Sequence, residues 1–245
     1  MSSSKVILIA PPTPYSSIAG WDEVAKAPLE GATLAGSILK ELGHEVHGYD
    51  LRLRPGDIAQ VFADLDKAEA VCIAGTPDSY CFLRDFSRDV QTNENSPPII
   101  LGGPMASISW KLILEKKLAE FCVIGECENS LPALLNAIER KESNIAVPGI
   151  ATLREGEPFL DTNPKPPVVL NNIPFPDYSV WVNEFESTFP ELVCYSTQRG
   201  CPHLCRFCAN PWKALYYADK KPVSYTHLRA HETVLDLVCR LLLEK

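Results

Sequence analysis

Between residues 5 and 145, short apolar runs alternate with stretches of helical periodicity, five times over. The strand-like runs are Val6 to Ala10, Glu45 to Tyr49, Ala70 to Ala74, Ile99 to Leu101 and Phe121 to Ile124, all but the second of them mainly apolar. Helical spacing predicts helices over Leu29–Leu42, with Gly43 as the stop, and around Ile58–Leu65. It predicts further helices over Tyr80–Val90, Trp110–Lys116 and Ser130–Arg140. Strands this short and this apolar are buried on both faces, which requires a parallel sheet covered by helices. Right-handed crossovers make that sheet doubly wound, Rossmann-like or flavodoxin-like. Residues 1–145 are expected to form this domain, and residues 1–150 to fold alone.

Ligands of such sheets bind beyond the carboxyl ends of the strands. Those ends read Pro11-Pro12-Thr13-Pro14, Gly75-Thr76-Pro77-Asp78-Ser79, Gly102-Gly103-Pro104 and Gly125-Glu126-Cys127-Glu128. Glycine allows a ligand to come close to the backbone, although any one of these loops alone is equally a tight turn. A response-regulator receiver would need an acidic cluster at the first strand and an Asp ending the third. The chain has Ala10-Pro11-Pro12 and Ala74-Gly75-Thr76 there.

Residues 146–190 change character. Ala151–Leu153 and Pro158–Leu160 flank Glu155-Gly156-Glu157 and fit a small hairpin. Asn163-Pro164-Lys165-Pro166-Pro167 and Ile173-Pro174-Phe175-Pro176-Asp177 fit an extended interdomain linker.

The chemistry is carried by Cys201-Pro202-His203-Leu204-Cys205-Arg206-Phe207-Cys208, a C-x3-C-x2-C spacing that follows a strand-like run, Leu192–Thr197. Three thiolates can hold three corners of an iron–sulfur cubane and leave one iron open. Structural zinc is the competing reading; it needs a fourth ligand, from His203 or a distant cysteine. Cys72, Cys81, Cys122 and Cys194 lie in or beside apolar runs, where a free thiol packs as a small hydrophobe. Nine cysteines therefore do not read as a disulfide framework.

The segment Arg199-Gly200-Cys201-Pro202 through Cys205 and Phe207-Cys208 resembles the signature loop of the radical S-adenosylmethionine superfamily. Gly102-Gly103-Pro104, Gly125-Glu126-Cys127-Glu128, Pro148-Gly149 and Ile173-Pro174-Phe175-Pro176, in that order, resemble its cobalamin-binding subfamily. The usual second block reads Gly-Glu-Gly-Glu, and Cys127 stands at its third place. The resemblance implies a [4Fe–4S] cluster on Cys201, Cys205 and Cys208, with S-adenosylmethionine chelated at the open iron. Reductive cleavage there would start radical chemistry, often methylation of an unactivated carbon. It also implies cobalamin beside Thr76, Ser79, Gly102, Gly103, Gly125 and Glu126. A small-molecule substrate and an external electron donor of flavodoxin or ferredoxin type are the implied partners. No catalytic side chain is assigned. Many cobalamin domains carry an Asp-x-His-x-x-Gly loop after the first strand; Pro11–Tyr15 supplies no His, so no lower axial His is expected. His44 and His47 read as ordinary surface or edge residues. The alternative function is a non-catalytic cobalamin-binding or Rossmann-like module with a zinc or redox knuckle.

A formal net charge of −8 gives no bulk attraction to nucleic acid or an anionic membrane. No run reaches the length of a membrane span, and the start lacks a signal-peptide core, which predicts a cytoplasmic protein. Residues 191–222 would be the start of a catalytic barrel. A full (β/α)8 barrel takes about 250 residues, so the chain reads as a fragment that does not itself cleave S-adenosylmethionine. Val223–Thr233 and Leu237–Lys245 resemble one reading frame of a transposon-type sequencing adapter. Residues 223–245 are therefore expected to be non-native; the other reading is an amphipathic helix over Thr233–Glu244.

Overall fold

The computed structural model describes residues 5–12, 29–93, 95–162, 168, 173–181, 198–199 and 223–224. The chain divides into two compact units, one of residues 1–168 and 173–194, the other of residues 169–172 and 195–245.

In the first unit, strands β1 (Lys5–Ala10), β2 (Glu45–Asp50), β3 (Ala70–Ala74), β4 (Ile99–Gly102) and β5 (Phe121–Val123) lie parallel in the order β2-β1-β3-β4-β5. That is the flavodoxin-like order, with its switch point between β1 and β3. Helices α1 (Glu30–Glu41), α2 (Ile58–Asp64), α3 (Tyr80–Val90), α4 (Gly103–Glu115) and α5 (Ser130–Glu139) follow the successive strands. The expected doubly wound α/β class is the observed one. Val6, Ile7, Ile9, Ala10, Val71 and Leu101 have no exposed surface, as interior strands of a parallel sheet require. Helix α1 ends where Gly43 was expected to stop it. The Gly43 and His44 amides donate back to the carbonyls of Lys40 and Leu39, the paired bonds of a Schellman ending.

Three expectations change. Helix α4 begins at Gly103 and not near Trp110, because Pro104 sits in its first turn, where a missing N–H costs nothing. The backbone breaks from helical geometry only at Ser109. The hairpin is not a separate piece. Its strands, β6 (Ile150–Arg154) and β7 (Glu157–Leu160), extend the same sheet antiparallel, with Cys122 opposite Ala151. Glu155 and Gly156 both have positive φ, as a two-residue hairpin turn of this hand demands. Finally, the end of the supposed linker packs into the core: Val180 is fully buried, Trp181 is 3% exposed, and both join the hydrophobic cluster built on β1 and α1. The described residues 146–162 and 173–181 therefore lie in the same compact unit as the sheet.

Among the described residues of the second unit, β8 (Gln198–Arg199) pairs antiparallel with β9 (Val223–Ser224). The remainder of the tail read as adapter lies outside the described residues.

One buried polar cluster anchors the first unit. Asp64 accepts a hydrogen bond from the Tyr49 hydroxyl at 2.7 Å, and Lys5 Nζ lies 3.0 Å from the same oxygen. Burial alone would raise the Asp64 pKa; the bonds from Tyr49 and Lys5 outweigh it and hold the carboxyl below its ordinary value. Burial, helped by Asp64, pushes the Tyr49 hydroxyl up. A depressed carboxyl contributes stability above its unfolded pKa, and that contribution disappears as pH falls through the folded value. Asp64→Asn should lower the free energy of unfolding in urea at pH 7 by about 3 kcal/mol, since it strands a buried ammonium. It should also flatten the loss of stability below about pH 4 that the wild-type chain shows.

Candidate functional site

The loops after β3, β4 and β5 meet at one edge of the sheet, because their strands are neighbours in register: Ala74 opposite Gly102, and Leu101 opposite Cys122. Backbone bonds stitch the first two loops together. The Gly75 amide donates to the Gly102 carbonyl at 3.0 Å, and the Met105 amide donates to the Gly75 carbonyl at 3.1 Å. The third loop is tied to α4, where Ser107 Oγ accepts the Gly125 N–H at 2.9 Å. Sequence reasoning missed Ser107; the small residues of α4 were its only signal.

The structure brings all six residues expected to contact cobalamin to this edge, with different roles. Thr76 and Ser79 cap the single helical turn Pro77–Ser79. Ser79 Oγ accepts from the Thr76 amide at 2.9 Å and donates to the Thr76 carbonyl at 2.6 Å. Ser79 is only 1% exposed, so its hydroxyl shapes the loop from inside. Gly125 and Glu126 are half-buried, and the Glu126 carbonyl accepts from Ser130 Oγ at the start of α5.

Gly102 and Gly103 differ from one another. Gly103 has φ +83°, and a Cβ there would lie 2.8 Å from the Gly75 carbonyl oxygen. Its glycine is required by the packing of the protein itself. Gly102 is extended, with φ −115°, and among the described residues a Cβ there would meet nothing nearer than the Ile73 carbonyl oxygen at 3.9 Å. The space beside Gly102 is thus open, a cradle that a side chain would fill.

At the end of β2, Asp50 is 2% exposed and its carboxylate is taken by Arg52. The Arg52 backbone N–H and Nε donate to Oδ1 at 3.1 and 2.9 Å, and Nη2 donates to Oδ2. A carboxylate at this position of a Rossmann sheet holds the ribose of a dinucleotide; here it is already occupied. An aromatic-floored groove, lined by Pro12, Ile58, Phe62, Phe82 and Phe86, opens beside the switch point.

Cys72 and Cys122 are buried, and burial pushes each thiol up to about 12, so they stay neutral and serve as packing. Cys81, expected to pack as a hydrophobe, is exposed on α3. The apolar run before it belongs to the preceding strand, and the helix turns Cys81 outward. His44 and His47 are half-buried, and His47 pairs with Glu45 at 2.7 Å. Cys201, Cys205, Cys208 and Cys194 lie outside the described residues. Among the described residues, no group of three or more His, Cys, Asp or Glu side chains could hold a metal ion. No helix among them is long and apolar enough to cross a membrane.

Residues 28–135 match the B12 binding domain. That match spans α1 to α5 and contains all six residues of the sheet edge. The chain is also similar to anaerobic magnesium-protoporphyrin IX monomethyl ester cyclase of Synechocystis sp., at 24% identity over 94% of this chain and 47% of the cyclase. It therefore spans about half the length of that relative. Among solved structures, the fold resembles the cobalamin-dependent S-adenosylmethionine radical enzyme OxsB with aqua-cobalamin bound. The TM-score is 0.63 at 17% identity, over 82% of this chain and 27% of OxsB. The radical S-adenosylmethionine methyltransferase TsrM from Kitasatospora setae gives a TM-score of 0.51 at 18% identity, over 64% of this chain and 30% of TsrM. At these identities the two structures bear on fold alone.

The two glycines allow a stability test without any ligand. Gly103→Ala should destabilise the domain by about 2 kcal/mol or more, through positive φ and collision with the Gly75 carbonyl. Gly102→Leu should change stability by less than about 1 kcal/mol in the same thermal or urea titration.

Proposed function

We propose that this chain is the cobalamin-binding portion of a cobalamin-dependent radical S-adenosylmethionine enzyme, together with the start of its cluster-binding segment. The single observation that carries the reading is the open cradle at Gly102, on a flavodoxin-like sheet edge that falls within the B12 binding domain match. Extended backbone with room for a Cβ lets a flat macrocycle approach the strand ends. Gly102 and the loops of Thr76, Gly125 and Glu126 would hold it. Ser79, Ser107 and Gly103 would act from behind, by fixing the shape of those loops. Bound cobalamin would supply methyl-transfer or radical chemistry at cobalt.

Cys201, Cys205 and Cys208 supply three thiolates at a spacing that fits a [4Fe–4S] cluster with one open iron. Support comes from the cofactor classes printed for the relatives: OxsB is cobalamin-dependent and an S-adenosylmethionine radical enzyme. On this reading the whole enzyme cleaves S-adenosylmethionine reductively and acts on a small molecule in the cytoplasm, with an external flavodoxin- or ferredoxin-type donor. Methylation of an unactivated carbon is the reaction proposed.

Two experiments test the two halves separately. Hydroxocobalamin titrated into the purified chain should show a saturable change in its visible spectrum. Gly102→Leu should weaken that binding at least tenfold while leaving the melting temperature nearly unchanged. A folded chain that leaves the spectrum unaltered overturns the cobalamin half. Anaerobic reconstitution with iron and sulfide should load about four irons per chain. Cys201→Ala, Cys205→Ala or Cys208→Ala should each abolish loading, and Cys72→Ala should not. Tight zinc uptake with no iron would instead establish the zinc-knuckle module.

A further inference from the structure

Helix α1 presents Thr33, Gly36, Ser37 and Lys40 at helical spacing, and residues 177–181 lie along that face. Lys40 Nζ pairs with Asp177 Oδ2 at 2.6 Å and donates to Ser179 Oγ at 2.6 Å. The Asp177 amide donates to Ser37 Oγ at 2.7 Å, and Trp181 Nε1 donates to Thr33 Oγ1 at 3.0 Å. Both hydroxyls also donate back into the helix, Ser37 to the Thr33 carbonyl and Thr33 to the Leu29 carbonyl. Each is thereby satisfied as acceptor and donor in a buried setting.

The fit is close on both sides. A Cβ at Gly36 would lie 3.1 Å from Val180 Cγ1. A Cβ at Gly48 would lie 2.6 Å from the Val180 carbonyl oxygen and 2.8 Å from the Trp181 ring. Trp181 also forms a parallel bridge with Gly48, on the outer edge of β2.

The direction of the segment follows from these pairings. It runs from Lys40, in the last turn of α1, to Thr33 in the first, antiparallel to the helix and parallel to β2. The first turn of α1 lies at the carboxyl end of the sheet, since α1 follows β1. From Asp177 to Trp181 the strap therefore runs toward the edge that carries the loops of Gly75, Gly102 and Gly125.

We propose that residues 177–181 are a docking strap that locks this stretch of chain along the outer edge of β2, directed toward the carboxyl ends of the strands. Trp181 is its anchor and Gly36 and Gly48 are its seat; together they are positioning residues for this stretch of chain. The strap needs no ligand, so it stands or falls apart from the cobalamin reading.

The test uses the 245-residue chain. A Cβ at position 36 would lie 3.2 Å from the Val180 Cβ, a few tenths of an ångström short of disulfide spacing. Mild oxidation of the Gly36→Cys/Val180→Cys variant should join positions 36 and 180 in most molecules, as read by peptide mass mapping. A folded variant with no such link overturns the docked strap. Direction is read by spin labels on a keto amino acid, which leaves the native thiols unlabelled. A label at position 175 should lie closer to one at position 41 than to one at position 31, in a narrow distribution. Trp181→Ala should broaden that distribution and speed amide exchange in residues 173–181 and 30–41 at least tenfold, leaving β3 and β4 unaffected. A label at 175 nearer to position 31, or a distribution that Trp181→Ala leaves unchanged, overturns the positioning role.

Discussion

The candidate site rests on one backbone contact, the approach of Gly103 to the Gly75 carbonyl. That oxygen accepts the Met105 N–H at 3.1 Å and lies where a Cβ on Gly103 would collide, at 2.8 Å. From the other side, a Cβ on Gly75 would come within 2.7 Å of Leu101 and Met105. Two loops can share so little space only if neither carries a side chain there. Given that contact, α4 starts at the end of β4 without a connecting loop, and Ser107 falls where it can hold Gly125. The loops after β3, β4 and β5 then become one surface. Without it they would be three independent turns, which is all that each looks like in isolation.

The periodicity of residues 5–145 sufficed for the sheet's class, because a strand buried on both faces is apolar throughout and leaves no ambiguity of period. Strand neighbours were not readable, since register is fixed by pairings far apart in the chain. Helix α4 was hidden by Gly102-Gly103-Pro104, which has turn composition but begins a helix. The hairpin was visible through Glu155-Gly156; its addition to the edge of β5 was not, because nothing local distinguishes a free hairpin from one that extends a sheet. Proline-rich composition similarly concealed the strap. Ile173–Asp177 reads as linker, and only the spacing of Thr33, Gly36, Ser37 and Lys40 on α1 hinted that a segment lies along it. All six residues expected around cobalamin lie at the predicted edge, yet Ser79 and Gly103 serve the protein's own packing.

The cysteines divide by environment more sharply than by spacing. Cys72 and Cys122 sit on β3 and β5, on either side of β4, where desolvation pushes each thiol up to about 12. Enclosed by apolar neighbours, these two thiols pack as part of the core they help to form. Cys201, Cys205 and Cys208 are separated from that core in sequence by the hairpin, the proline-rich run and the strap. The apolar sheet thus demands of a cysteine the opposite of what the proposed cluster loop would demand in another part of the chain.

Glycine has an equally divided use, and the division decides which positions concern a ligand. Gly36 and Gly48 admit the strap, with Val180 and Trp181 against them. Gly103 admits the Gly75 carbonyl, and Gly75 admits the side chains of Leu101 and Met105. In all four cases the missing Cβ is accounted for by atoms of this chain. At Gly102 it is not, since the nearest atom stands 3.9 Å away and the extended backbone there suits any residue. Neither strain nor packing among the described residues explains glycine at that position, and the open space would admit an external surface. Asp50 narrows what that surface is. In this sheet the carboxylate that would receive a ribose is held by Arg52, so a dinucleotide would lose its usual anchor. A ligand bound through flat contact with the strand ends has no need of Asp50, and a corrin ring presents such a face.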